Sequence, residues 1–200
     1  MSSNARRAIF WLLALVSVCA TVRAQETDAT YALIAYGGAG YTRNISTFDI
    51  TPQGLQQNGF GGTLRIMWKP EHLLRVGIET GLTQVYHVKT VNVQTTFGVT
   101  DFTSSLNAVP ILLAFSMPLT DRLEVTLRSG GYLLYSNTES FGNTVSSSTF
   151  STGFGVGLSY MTPLDEDWGI GGEIKWYHMG KFDDDNIMLQ VMVSYNFLEW

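Results

Sequence analysis

Residues 187–200 constrain the fold of this 200-residue chain more than any other segment. From Ile187 to Phe197, apolar side chains stand at every second position, with polar residues or methionines between them. Successive side chains of a β-strand point to opposite faces of the sheet, so a period of two residues indicates a strand with one apolar face. The pattern predicts a final strand that closes a β-barrel, with an apolar face made by Ile187, Leu189, Val191, Val193, Tyr195 and Phe197.

The start of the chain has the features of a secretory signal peptide. Arg6 and Arg7 precede an apolar run at residues 8–20 that is too short to span a bilayer as a helix. Small residues at Val22 and Ala24 fit a signal-peptidase site. We therefore expect residues 1–24 to be cleaved and residues 25–200 to form one domain. Because the only cysteine, Cys19, lies in the leader, no disulfide is expected.

The composition excludes some classes of function. Charged residues make up 14% of the chain and aromatic residues 12%, and after residue 20 no apolar run approaches the length of a membrane helix. A net charge of −5 argues against nucleic-acid binding, which needs a basic face. The adjacent carboxylates at 183–185 are interpreted as a solvated loop tip, so we expect neither a metal nor a cofactor.

The alternation of apolar residues predicts eight strands. They are expected near residues 31–41, 60–69, 74–83, 109–117, 123–135, 150–160, 168–176 and 187–197. Glycines in the first strand leave its two faces unassigned. Long polar connections at about 42–59, 89–105 and 136–149 alternate with short turns at Pro70, Pro118 and Pro163. Outer-membrane barrels have long loops outside and short turns in the periplasm, so the pattern favours an all-β, closed, antiparallel, up-and-down transmembrane barrel.

Aromatic residues on the presumed outer face form two belts around an aliphatic band, as expected at the two boundaries of a membrane. One belt lies beside the short turns and the other beside the long loops. The residues predicted to lie at the membrane interfaces are Trp68, Phe115, Tyr160, Trp168, Trp176, Tyr195 and Phe197.

The opposite faces of the strands carry the charges. In a soluble secreted barrel with its apolar face turned inward, they would be surface residues. Loop asymmetry, the two belts and the glycines at 153, 155 and 157 favour the membrane arrangement. An eight-stranded barrel is only wide enough for its own side chains, so we expect a paired polar network in the lumen. Its members would be Arg65, Arg75, Glu79, Glu124, Arg128, Glu173 and Lys175.

Several segments resemble the small outer-membrane β-barrel domain family of Gram-negative bacteria. They are MWKPEHLLRVG at 67–77, VPILL at 109–113, LRSGGY at 127–132 and GEIKW at 172–176. The last strand is similar to the insertion signal of such proteins, although Leu198, Glu199 and Trp200 follow the usual terminal aromatic. The resemblance covers the mature chain and implies a fold and a location rather than one activity. It implies outer-membrane lipid and lipopolysaccharide as surroundings, and the barrel-assembly machinery as a partner during insertion.

The sequence leaves three classes of function open. The first is a structural or surface-interaction role, adhesin-like and without an open pore, carried by a monomer. The second is a narrow channel for ions or small solutes, which bilayer conductance would reveal. The third is a lipid-modifying enzyme, but His178 lacks the serine two positions later that such deacylases carry, so we do not expect an enzyme.

The long connections carry the proposed surface role. Residues 90–99 still alternate, which predicts that the third and fourth strands continue as a hairpin turning near Phe97, and a second hairpin is expected around Phe141. An unpaired strand edge in such a hairpin binds an extended partner through main-chain hydrogen bonds. The alternative is that these loops merely shield the mouth of the barrel.

Overall fold

The computed structural model describes residues 31–46, 54–70, 74–95, 98–140, 143–181 and 184–199. The predicted signal peptide, Asp183 and the hairpin tips at Phe97 and Phe141 lie outside these residues. Within them, no helix is long and apolar enough to cross a membrane.

Most of the described residues lie in β-strands. Their bounds are β1 Ala32–Asn44, β2 Leu55–Gln56, β3 Asn58–Lys69, β4 Arg75–Thr95, β5 Gly98–Pro118, β6 Leu123–Ser140, β7 Asn143–Pro163, β8 Trp168–Met179 and β9 Asp184–Glu199. The sequence predicted every one of the long strands, and β2 is a two-residue addition within the first long connection.

Eight long strands pair antiparallel with their neighbours in chain order and close into a ring. β1 pairs with β3 on one side and with the last strand, β9, on the other. The remaining pairs run from β3 to β4 and onward to β9, and β2 adds to the edge of β4. The predicted all-β, antiparallel, up-and-down barrel is confirmed.

The closing pair extends beyond the last alternating aromatic residue. Ala32 lies opposite Glu199 and Leu33 lies opposite Leu198, with a bulge between Leu33 and Ile34 that shifts the register. The bulge accommodates one extra residue on β9, which is Phe197. The final strand therefore includes two of the three residues that follow the usual terminal aromatic.

The apolar face of the barrel points outward and the charged face points into the lumen. Outward residues such as Leu189 and Val191 are 62% and 63% exposed, whereas Arg65 and Glu173 are each 1% exposed. The faces of β1, which the sequence did not assign, follow the same rule, because Tyr36 is buried in the lumen and Tyr41 is exposed.

Two of the predicted long loops are instead continuations of strands. β4 pairs with β5 as far as Thr95 and Gly98, and β6 pairs with β7 as far as Ser140 and Asn143. The predicted connections at 89–105 and 136–149 were therefore wrong as loops, while the predicted hairpins describe these segments correctly. β4, β5 and β7 each have 21 residues. A transmembrane β-strand needs only about 9–11 residues, so each of these strands is about twice as long as a membrane-spanning strand needs to be.

Candidate functional site

Five of the seven predicted lumen residues meet in one buried group, which we call the luminal charge cluster. Arg128 donates from Nε to Glu79 Oε2 at 2.8 Å and from Nη2 to Glu173 Oε1. Lys175 Nζ donates to Glu79 Oε1 at 3.0 Å. Arg65 Nη1 lies 3.4 Å from Glu173 Oε1. All five side chains are nearly inaccessible to solvent, so each charge depends on its partners rather than on water.

The strand register and one glycine make room for this cluster. Arg65 on β3 lies directly opposite Glu79 on β4, and Gly157 on β7 lies opposite Lys175 on β8. A Cβ atom at Gly157 would lie 2.5 Å from Arg128 Nη1 and 2.8 Å from Glu173 Oε1. Because Gly157 has no side chain on the inner face of β7, the charged side chains can occupy that space.

Neutral polar side chains extend the cluster across the lumen. Gln190 Nε2 donates to Glu173 Oε2 at 2.6 Å, and Gln190 Oε1 accepts from Thr63 Oγ1 at 2.9 Å. Charge-assisted hydrogen bonds of this kind are short and fix the orientation of the carboxylate. The network thus connects β3, β4, β6, β8 and β9 across the barrel.

The other two predicted lumen residues form a separate pair nearer the short turns. Arg75 Nη1 donates to Glu124 Oε2 at 2.6 Å and to the hydroxyl of Tyr36 at 3.0 Å. They line a cavity of about 320 Å³ that opens at the short-turn end of the barrel. Arg75 and Glu124 therefore belong to the mouth at the short-turn end of the barrel rather than to the cluster.

The sequence missed two apolar layers that enclose the luminal charge cluster. The layer on the side away from the short turns consists of Val85, Leu106, Ala108, Leu112, Tyr132, Leu134, Tyr177, Met179 and Met188. The layer toward the short turns consists of Tyr36, Met67, Ala114 and Met192. Their signal is present in β5 and β6, where inward positions such as Leu112 and Leu134 are apolar as well as the outward ones. The lumen is packed with side chains over much of its length.

The aromatic residues predicted for the membrane interfaces lie on the outer surface. Trp168 at the start of β8 packs against Tyr195 with ring centroids 4.6 Å apart. At the other end of β8, Trp176 packs edge-on against Phe154 at 5.5 Å. Six of the predicted residues are between 37% and 49% exposed, namely Trp68, Phe115, Tyr160, Trp168, Tyr195 and Phe197.

His178 has a carboxylate partner that the sequence analysis did not identify. Its Nδ1 lies 3.0 Å from Asp185 Oδ1, because the two residues are opposite each other on β8 and β9. Such a pair supplies two members of a hydrolytic triad, but Gly180 stands where the deacylases carry their serine. Among the described residues, no group of three or more His, Cys, Asp or Glu side chains is placed to hold a metal ion.

Four strands continue beyond the barrel as what we call the protruding sheet. It consists of residues 87–95 of β4, 98–105 of β5, 135–140 of β6 and 143–150 of β7. The pairing of β3 with β4 stops at Gly61 and Thr83, and that of β8 with β7 starts at Met179 and Gly153. Beyond these positions the protruding sheet no longer pairs with β3 or β8, so it has two edges.

The two edges differ in how well they are covered. β2 pairs with His87 and Val88 on the β4 side, and the N–H of Lys89 donates to the carbonyl of Gly54 at 3.2 Å. On the other side, no described strand lies beside residues 143–150 of β7, which we call the β7 edge. Val145 and Phe150 are 67% and 58% exposed there.

Comparison with known proteins agrees with this geometry. The sequence profile of a family described as the outer membrane protein beta-barrel domain matches residues 10–197. Comparison with curated proteins finds no match.

Several solved structures of outer-membrane proteins are similar to this chain. A major outer membrane protein of Thermus thermophilus is 14% identical, with 84% of this chain and 99% of that one covered and a TM-score of 0.51. Ail, the attachment invasion locus protein of Yersinia pestis solved with the heparin analogue sucrose octasulfate, is 13% identical over 86% of this chain and 100% of that one, with a TM-score of 0.49. Neisserial surface protein A is 14% identical over 84% and 97%, with a TM-score of 0.48. At such identities the likeness concerns the fold alone.

Proposed function

The chain belongs to the outer membrane protein beta-barrel domain family, and we propose that it acts at the cell surface as a binding protein whose protruding sheet carries the binding edge. The family and the fold place it in the outer membrane, surrounded by lipid and lipopolysaccharide. Function within this fold depends on the site rather than on the barrel.

The open β7 edge is the observation that carries this proposal. Unpaired N–H and C=O groups on an edge strand bind an extended segment of another molecule by adding it to the sheet. The β4 edge is protected by β2 as far as Lys89, whereas the β7 edge has no described strand beside it. A sheet that only shielded the mouth of the barrel would not need one covered and one open edge.

The packed lumen supports a role without an open pore. The luminal charge cluster pairs its carboxylates with cations on facing strands, and apolar layers lie on both sides of it. An ion that entered would have to break these buried pairs and cross an apolar layer, and both steps are costly. We propose that the charges stabilise the barrel and do not line a conduction path.

The pair of His178 and Asp185 is proposed as part of the outer rim rather than as a catalytic dyad. His178 lies beside the rings of Phe154 and Trp176, on the face that meets lipid. Aromatic and imidazole groups with a polar edge are favoured at the headgroup level.

We further propose that residues 1–24 are removed on export, that the barrel-assembly machinery inserts the chain, and that it is a monomer within its own membrane.

Shortening the protruding sheet tests the proposed binding role. Replacing residues 137–146 by Asn-Gly joins Ser136 to Ser147, which lie opposite each other, through a favourable two-residue turn. We expect the shortened protein to reach the outer membrane in normal amount while adhesion of expressing cells to matrix-coated surfaces, and to one another, falls to the level of cells without the protein. A matched control places the same Asn-Gly turn at residues 141–142 and keeps the full strand length, so it should retain adhesion. Unchanged adhesion by the shortened protein would contradict the proposal.

A further inference from the structure

We propose that the β7 edge pairs with the β7 edge of a second copy of this chain that projects from an opposing membrane. The inference rests on the proposed function, because it requires the protruding sheet to stand outside the membrane. It goes further by naming the partner and the geometry of the contact.

The backbone of β7 presents a regular set of hydrogen-bonding groups at this edge. Just below the edge, the carbonyl of Thr152 points away from β6 and accepts from the N–H of Gly180 at 2.9 Å. Backbone groups alternate in direction along a strand, so every second residue above Thr152 points the same way. Thr144, Ser146, Ser148 and Phe150 therefore direct their N–H and C=O groups toward the open side.

The direction of the strand decides which copy fits. β7 runs from the tip of the protruding sheet at Asn143 down to the short turn at Pro163. Every copy in one membrane has this same direction, so two β7 edges in that membrane meet only as a parallel pair, which is less stable per residue than an antiparallel one. An antiparallel pair of β7 with the upward-running β4 of a neighbour is obstructed by β2 as far as Lys89.

A copy in a facing membrane is inverted, and its β7 runs in the opposite direction. The two edges then meet antiparallel around a two-fold axis that lies between the membranes. Such a contact is isologous, because the same patch of both copies forms it and the interface closes after two molecules. The contact would therefore hold two facing membranes together, and the protein would not polymerise within either membrane.

The side chains of the β7 edge suit pairing with themselves. Residues 143–149 read Asn-Thr-Val-Ser-Ser-Ser-Thr, with no charge and no proline. Natural edge strands commonly carry lysine or proline to prevent pairing, and this one carries neither. If the axis passes between two copies of Ser147, Val145 faces Thr149 of the second copy, and no like charges meet. Two chains that each carry a net negative charge thus approach through a neutral strip.

The extent of the edge is set by β8 and the turn after it. Lys181 Nζ donates to the hydroxyl of Thr149, and the backbone N–H of Lys181 donates to Ser151 Oγ at 3.0 Å. The side chain of Lys181 therefore marks the lower end of the strip that a second copy reaches. About seven residues remain, which is longer than the usual strand of about 5–6 residues in a globular protein.

Vesicle clustering tests this inference directly. The protein is reconstituted into two populations of phosphatidylcholine vesicles that carry different fluorophores and different peptide tags, and energy transfer between populations is measured. We expect clustering with the intact protein. With Ser146→Pro, we expect the energy transfer between the two populations to fall roughly tenfold or more, because the substitution removes one edge donor from each of the two copies. The N–H of Ser146 points away from β6, so proline leaves the internal pairing intact. Ser146→Thr keeps the donor and should cluster like the intact protein.

A cysteine at the two-fold axis provides a second readout. Opposed residues of a non-hydrogen-bonded antiparallel pair have Cα atoms about 4.5 Å apart, within the range that a disulfide spans. Ser147→Cys should give disulfide dimers that carry both tags only when the two populations are mixed. No clustering by the intact protein, full clustering by Ser146→Pro, or equal clustering with protein-free vesicles would each overturn the inference. In all three cases, loss of matrix adhesion by the shortened protein would still support the binding role with a different partner.

Discussion

Replacing Glu79 by glutamine is expected to lower the free energy of unfolding in lipid vesicles by about 3–5 kcal/mol, the usual cost of removing one partner from a buried ion pair. Glu79 accepts from Arg128 and Lys175 and lies 3.7 Å from Arg65. The luminal charge cluster holds three cations and two carboxylates, Glu79 and Glu173. Glutamine fills the same space but leaves one carboxylate for three buried cations.

Glu139→Gln provides the matched control, because Glu139 lies on β6 in the protruding sheet and is exposed to solvent. It removes the same charge by the same chemical change, and a surface substitution of this kind should alter stability by less than about 0.5 kcal/mol. Urea titration followed by tryptophan fluorescence measures both variants. Equal stability of Glu79→Gln and Glu139→Gln would show that the cluster does not hold the barrel together.

Arginine at Val191 should destabilise the protein in a bilayer by about 2–4 kcal/mol, the cost of that residue near the midplane on the lipid face of a barrel. Val191 is 63% exposed and lies on β9 between Ile187, opposite Trp176 of one belt, and Tyr195, opposite Trp168 of the other. In water such an exposed position would accept arginine without loss. The expected effect therefore arises from the hydrocarbon around it.

Val145→Arg is the control for exposure. Val145 is 67% exposed, but it lies on the β7 edge, above the membrane. In urea titrations of the same vesicles, we expect the free energy of unfolding of Val145→Arg to remain within about 0.5 kcal/mol of that of the unaltered protein. If both arginine variants were equally stable, Val191 would be facing water rather than lipid.

The periodic strands were predictable because each carries its own signal. In β9 the outward residues are aliphatic or aromatic, and the inward ones include Gln190 and Ser194, so the two faces separate without any knowledge of neighbouring strands. In β1 the glycines at 37, 38 and 40 remove that contrast, and the inward position of Tyr36 depends on its contacts with Arg65 and Arg75 across the barrel.

The predicted loops at 89–105 and 136–149 were wrong because serine, threonine and asparagine are common in both loops and exposed strands. In β7 both faces of residues 143–148 are exposed, so no apolar period marks the strand. The strand exists because β6 pairs with it residue by residue. Pairing between strands of different sequence position is a tertiary effect that local periodicity does not contain.

In the candidate site too, some features were predictable from single strands and others depend on how the strands pair. Strand periodicity predicted that seven charged residues face the lumen, but their separation into a cluster and the pair of Arg75 and Glu124 depends on the height of each residue along the barrel. The contact of His178 with Asp185 likewise depends on the register of β8 and β9. Register is fixed by the stagger of the whole closed sheet, so a single strand does not reveal it.

The outward orientation of the apolar face is tested most directly by a spin-label scan of β9 in a lipid bilayer. Each residue from 187 to 195 is replaced in turn by a labelled cysteine, and its collision rates with oxygen, which dissolves in lipid, and with a water-soluble nickel complex are measured. The account predicts oxygen accessibility with a period of two residues, high at Leu189, Val191 and Val193 and low at Met188, Gln190 and Met192, with the nickel complex excluded from both sets. The opposite phase, or nickel collisions at the odd-numbered positions, would contradict it.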